Sequence, residues 1–154
     1  MYTKEQAAKL RAEFWTTFGR YMQPVPSASG GRVHWVNYKT GFRYVYFRLD
    51  AGRKGARVAI EITHKDPEER MRWMNQLKSM RSMIESCIGE DWVWADQMQD
   101  EFGRQISCIY KDLEGTDLMQ QSDWPEIIAF FKQHIIMLDA CWAEVRDILE
   151  AVMN

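Results

Sequence analysis

Phe42-Arg43-Tyr44-Val45-Tyr46-Phe47-Arg48-Leu49, then Asp50-Ala51-Gly52-Arg53-Lys54-Gly55, then Ala56-Arg57-Val58-Ala59-Ile60-Glu61-Ile62-Thr63-His64: these three consecutive runs decide the fold. Aromatic and β-branched residues dominate both arms, and side chains along a pleated strand alternate between two faces. Val45, Phe47 and Leu49 therefore share one face with Val58, Ile60 and Ile62. The glycines of the middle run admit a tight reversal without the steric cost of a Cβ, so the arms form an antiparallel hairpin. The register that best matches the apolar sets places Leu49 opposite Ala56, Phe47 opposite Val58, Val45 opposite Ile60 and Arg43 opposite Ile62. The opposite face then carries Tyr44, Tyr46, Arg48 and Arg57, with Glu61 near Tyr44. It is aromatic and basic together.

Working outward, Val33 to Tyr38 reads as a further strand joined to the hairpin by Lys39-Thr40-Gly41. Trp92-Val93-Trp94 and Gln105 to Tyr110 read as two more, separated by a polar loop from Asp96 to Arg104. Thr3 and Gln6 fit a capping box, and Ala7, Leu10, Phe14 and Phe18 recur at helical spacing, which predicts a helix to about Met22. Pro24 and Pro26 stop it. Asp66-Pro67-Glu68-Glu69 starts a second helix, expected to run to Gly89, with a stripe through Met74, Leu77, Met80 or Arg81, Ile84 and Ile88. Its methionines, Met71, Met74, Met80 and Met83, suit a core or an adaptable binding surface. A third helix, from Trp124 to about Met153, would be ~45 Å long at 1.5 Å per residue. Along it Phe131, Ile135, Leu138, Trp142, Val145, Leu149 and Val152 form a seam fit to pack on the chain's own elements or on a second copy. The expected architecture is a single α+β domain over residues 1–154: a mainly antiparallel sheet of about five strands, with three helices packed chiefly on one face.

The chain has 154 residues, enough for one domain to bury a core without metal or disulfide support. No apolar run approaches the ~20 residues that cross a bilayer, and the first residues lack a signal-peptide core, so a cytoplasmic protein without membrane association is expected. Cys87, Cys108 and Cys141 are odd in number and widely spaced, which suits reduced, buried thiols. The net charge of −2 conceals an asymmetry. Arg32 to Lys65 holds eight basic and two acidic residues, whereas Asp112 to Asn154 holds two basic and nine acidic ones. That pattern implies an anionic partner for the hairpin, or a contact between the two regions.

The hairpin, the Asp66-Pro67-Glu68-Glu69 start, Trp92-Val93-Trp94, Ser107-Cys108-Ile109-Tyr110 and Ser122-Asp123-Trp124-Pro125-Glu126 together resemble an uncharacterised bacterial domain family. That family is often found C-terminal to restriction-nuclease-like modules. The resemblance covers most of the chain and carries no catalytic residues to transfer. It implies an accessory role near nucleic-acid-processing or defence systems, with any nuclease partner acting in trans.

A restriction-type nuclease site needs carboxylates on neighbouring strands beside a lysine. Asp50 and Glu61 have tolerable spacing, but Thr63 stands where the lysine should be and Lys65 follows two residues late. His34, His64 and His134 lie on separate elements without zinc-ligand spacing, and no metal or cofactor is expected. No nucleophile elbow, phosphate-binding glycine loop or dinucleotide fingerprint occurs. The candidate binding surface is therefore the basic, aromatic one: Tyr44, Tyr46, Arg48, Arg53, Lys54 and Arg57, with Trp35. Three readings follow. The first is a non-catalytic interaction module that docks a protein or forms a homodimer through the C-terminal helix. The second is single-stranded nucleic-acid binding by the hairpin, and the third is a degenerate metal-dependent nuclease.

Overall fold

A computed structural model describes residues 2–154. Helix α1 (Lys4–Met22) opens with the expected capping box, Gln6 N donating to Thr3 Oγ1 at 3.1 Å and Thr3 N to Gln6 Oε1 at 2.8 Å. Strands β1 (Val45–Ala51) and β2 (Gly55–Ile62) form the hairpin. Helices α2 (Pro67–Ser79) and α3 (Arg81–Ile88) follow, then β3 (Val93–Gln99) and β4 (Gln105–Glu114). A short 3₁₀ turn at Gln121–Asp123 leads into α4 (Trp124–Met153). The strands form one antiparallel sheet in the order β1-β2-β4-β3.

The alternation sorts side chains as expected, but the register differs by two residues. Leu49 pairs with Val58, Phe47 with Ile60, Val45 with Ile62 and Ala51 with Ala56. The strand runs on through Ala51, so only Gly52, Arg53 and Lys54 remain for the reversal, closed by Gly52 N donating to Gly55 O at 2.9 Å. A shift of two preserves every face. At Gly55 an added Cβ would lie 2.2 Å from the Leu113 carbonyl oxygen, so the β2–β4 ladder requires glycine there.

Four strands replace the five expected because Val33 to Tyr38 is irregular. Its rings serve as single anchors rather than as a ladder. Trp35 Nε1 donates to Val25 O at 3.0 Å, Tyr38 stacks on Phe47 with centroids 4.8 Å apart, and the Tyr38 hydroxyl donates to Asp139. Asp139, buried on α4, also accepts from Ser27 Oγ at 2.9 Å and from Ala28 N at 2.7 Å, fastening the segment to the helix. Burial and the neighbouring carboxylate push the Tyr38 phenol well above its ordinary range. Four helices replace three because the second breaks at Met80, whose φ of −106° and ψ of 14° leave the helical region. No glycine or proline marks that break.

Every helix contributes to one core on the inner sheet face. Phe14 and Phe18 of α1 meet Phe131 of α4, with centroids 6.2 and 5.6 Å apart. Phe47, Ile60 and Ile109 form the floor. The α4 seam from Phe131 to Leu149 is buried against the chain's own elements, but its last member drifts: Met153 is buried while Val152 is 51% exposed. A spacing of 3.5 laid on a helix of 3.6 residues per turn rotates by ~20° per heptad, which moves the stripe across one residue. Among the described residues no helix is long and apolar enough to cross a membrane.

Candidate interaction face on the open side of the sheet

With the helices on one side, the other side of the sheet is left open. Cross-strand pairing sets its rows. Asp50, Arg57 and Asp112 lie abreast, followed by Arg48, Ala59, Tyr110 and Val93, and then by Tyr46, Glu61, Cys108 and Ala95. At the centre Ala59, Ile106 and Cys108 are buried under Met98 and Tyr110, a small apolar floor separate from the main core. Burial pushes the Cys108 thiol up to about 12, so it packs as a neutral group.

The arginines of the strands on this face and of the β3–β4 connection are already engaged. The Arg57 fork grips Asp112, Nε to Oδ1 at 2.6 Å and Nη2 to Oδ2 at 2.9 Å, while its guanidinium carbon lies 3.9 Å from the Tyr110 ring centroid. Those bonds to Asp112 raise the Arg57 pKa above its ordinary value. Arg48 Nε donates to Glu61 at 3.2 Å, and its guanidinium lies 4.5 Å from the Tyr46 ring centroid. Burial raises the Glu61 pKa above the usual carboxylate value, and Arg48 opposes that shift. In the β3–β4 connection Arg104 pairs with Asp100 at 2.9 Å, beside Phe102, which is 73% exposed.

The residues expected at the surface fall in three places. Tyr44, Tyr46, Arg48 and Arg57 share the open face, although Tyr44 precedes β1 and has a φ of +68°. Glu61 faces Tyr46 rather than Tyr44. Arg53 and Lys54 occupy the exposed hairpin tip. Trp35 is buried in the main core and contributes nothing to this face. Sequence reasoning missed Met98, Phe102, Arg104, Ile106, Tyr110 and Asp112. Alternation through Ile106, Cys108, Tyr110 and Asp112 carried the signal, but only the strand order puts β4 beside β2.

The carboxylates of β4 and the β3–β4 connection change the electrostatics. A face expected to be basic has its central guanidinium groups paired, and the Arg57–Asp112 bridge joins the basic and acidic regions of the chain. Asp50 and Glu61 lie on this face two rows apart, and among the described residues no three His, Cys, Asp or Glu side chains converge to hold an ion. His64 and His134 are held below their ordinary pKa chiefly by burial. Between Tyr44, Tyr46, Thr63 and the start of α2 the face deepens into a groove of about 600 Å³.

A family model described as "Domain of unknown function (DUF4268)" matches residues 10–146. No curated protein and no solved structure matches the chain.

Proposed function

We propose, from the premise that the chain belongs to the family described as Domain of unknown function (DUF4268), that it is a non-catalytic interaction module. It docks a protein partner on the open face of its sheet. The observation that carries this reading is a face rich in Tyr, Arg, Met and Phe whose central guanidinium groups, Arg48, Arg57 and Arg104, are neutralised in place. Those residue types are enriched in protein interfaces, while free charge is depleted at interface centres. In a nucleic-acid-processing or defence setting the partner would be the effector protein.

Single-stranded nucleic-acid binding draws on the same rings, but its phosphates need cations that are free to replace counterions. Arg48, Arg57 and Arg104 are each committed to a carboxylate. A homodimer through α4 has less to draw on, because the seam faces inward and the exposed large apolar side chains of the helix are Ile148 and Val152. The nuclease reading rests on Asp50 and Glu61, and Glu61 is paired with Arg48.

Peptides selected from a displayed random library against the folded domain test the docking reading. Binding of the selected peptides is expected to fall at least tenfold in a Tyr46→Ala, Arg57→Glu double variant and to survive Lys9→Ala on α1. Peptides insensitive to the double variant would refute it. A salt titration against labelled single-stranded DNA separates the second reading, since phosphate binding weakens steeply as salt rises.

A further inference from the structure

The groove that ends the open face contains a cation with no counter-ion. Arg70, on the second turn of α2, is only 6% exposed, and its Nη1 donates to the His64 carbonyl at 2.7 Å and the Lys65 carbonyl at 3.2 Å. Those two bonds tie the end of β2 to the helix and explain half of the fork. Nε and Nη2 have no acceptor, and no carboxylate lies within 4.0 Å of the side chain, among the described residues. Nearby carboxylates are occupied: Asp66 by Glu68 N, Glu69 by Arg72, Glu61 by Arg48 and Asp100 by Arg104. Arg70 lines the 600 Å³ groove, together with Lys65, which is exposed and makes no ion pair among the described residues.

Nε and Nη2 are therefore left to the solvent in the groove, and the planar fork of a guanidinium matches a carboxylate through two parallel hydrogen bonds. We infer that this end of the groove anchors a carboxylate of an acidic peptide segment in the docked partner, with Arg70 and Lys65 as the binding cations and Tyr44 and Tyr46 flanking the neighbouring residues. The inference rests on the docking reading and adds the chemistry of the partner. A peptide carboxylate fits better than a nucleic-acid backbone because Arg70 and Lys65 lie together at the groove end, while Arg48, Arg57 and Arg104 along the face are each paired. A phosphate chain needs a track of cations.

The test uses fluorescence anisotropy with three labelled probes: a short peptide of alternating glutamate and tyrosine, the same peptide with glutamine for glutamate, and a short oligothymidylate. The acidic peptide is expected to bind about tenfold more tightly than the glutamine peptide, the gain of one charge-assisted hydrogen-bond pair. Lys65→Glu, at an exposed position, should abolish that gain with an unchanged melting temperature. Arg70→Lys, which keeps the charge but loses the fork, should reduce it several-fold in protein verified as folded by circular dichroism. Equal affinity for the two peptides, or a Lys65→Glu variant that retains the preference, overturns the anchor. Oligothymidylate binding as tightly as the acidic peptide overturns the assignment to a protein carboxylate. If the glutamine peptide binds and is lost in the Tyr46→Ala, Arg57→Glu variant while glutamate brings no gain, the anchor fails and the docking reading stands. If neither peptide binds, the anchor also fails, and the selected peptides decide the docking reading.

Discussion

Replacing Ile60 by alanine separates the two faces of the sheet most sharply. Ile60 is 1% exposed in a central strand, between Phe47 on β1 and Ile109 on β4. The substitution removes three carbons, about 2.4 kcal/mol of transfer free energy at ~0.8 kcal/mol each. Both neighbouring strands are held by their ladders, so the space closes only partly, and a cavity term brings the total to about 4 kcal/mol. Urea denaturation followed by circular dichroism should show that loss as a lower midpoint with an unchanged slope, and melting should fall by roughly 10 °C. Tyr46→Ala, on the opposite face of the adjacent strand, should cost under about 1 kcal/mol. A loss below ~1 kcal/mol at Ile60, or an equal loss at Tyr46, would show that the alternation does not define the core.

Gly55→Ala should destabilise by roughly 2–3 kcal/mol, because its Cβ meets the Leu113 carbonyl and pries apart the β2–β4 ladder; the denaturation midpoint reads it. Asp139→Asn, which sets an amide against donors from Ser27, Ala28 and Tyr38, should cost roughly 2–3 kcal/mol. It should also speed limited proteolysis between residues 23 and 44. His134 is buried with Nδ1–H donating to Phe130 O at 2.7 Å, near Lys111 and Asp91, and its folded pKa lies below 6.5. The unfolded chain therefore binds more protons in that window, so stability is full above pH ~6.5 and declines as pH falls through the depressed folded value. Melting temperatures at pH 7.5, 6 and 5 should fall in the wild type and fall less in His134→Gln.

Local physics made much of the fold legible. Period-two alternation located the hairpin, and Thr3, Asp66 and Pro67 marked helix starts because capping depends on residues adjacent in sequence. What could not be read depended on distant neighbours. Val33 to Tyr38 has strand composition, yet Tyr38 reaches Asp139 across the fold, and that contact takes the segment out of the sheet. The Met80 break has no punctuating residue, and β3 extends into polar sequence because it is an outer strand with one paired edge. The faces of the hairpin were readable from parity, so Tyr46 and Arg57 fall where expected. Their charge state was not, since it depends on Asp112 arriving from β4. Arg70 follows directly on the Asp66-Pro67-Glu68-Glu69 helix start, and nothing in that neighbourhood marks a buried guanidinium.

The central claim is that this protein works through the open face of its sheet, and amide chemical-shift mapping tests it most directly. Titrating a peptide selected against the folded domain into ¹⁵N-labelled protein should move the amides of Tyr46, Arg48, Arg57, Glu61, Cys108 and Tyr110, with those of α1 and the outer side of α4 unchanged. Shifts concentrated on α1 or α4, with the open face silent, would contradict it.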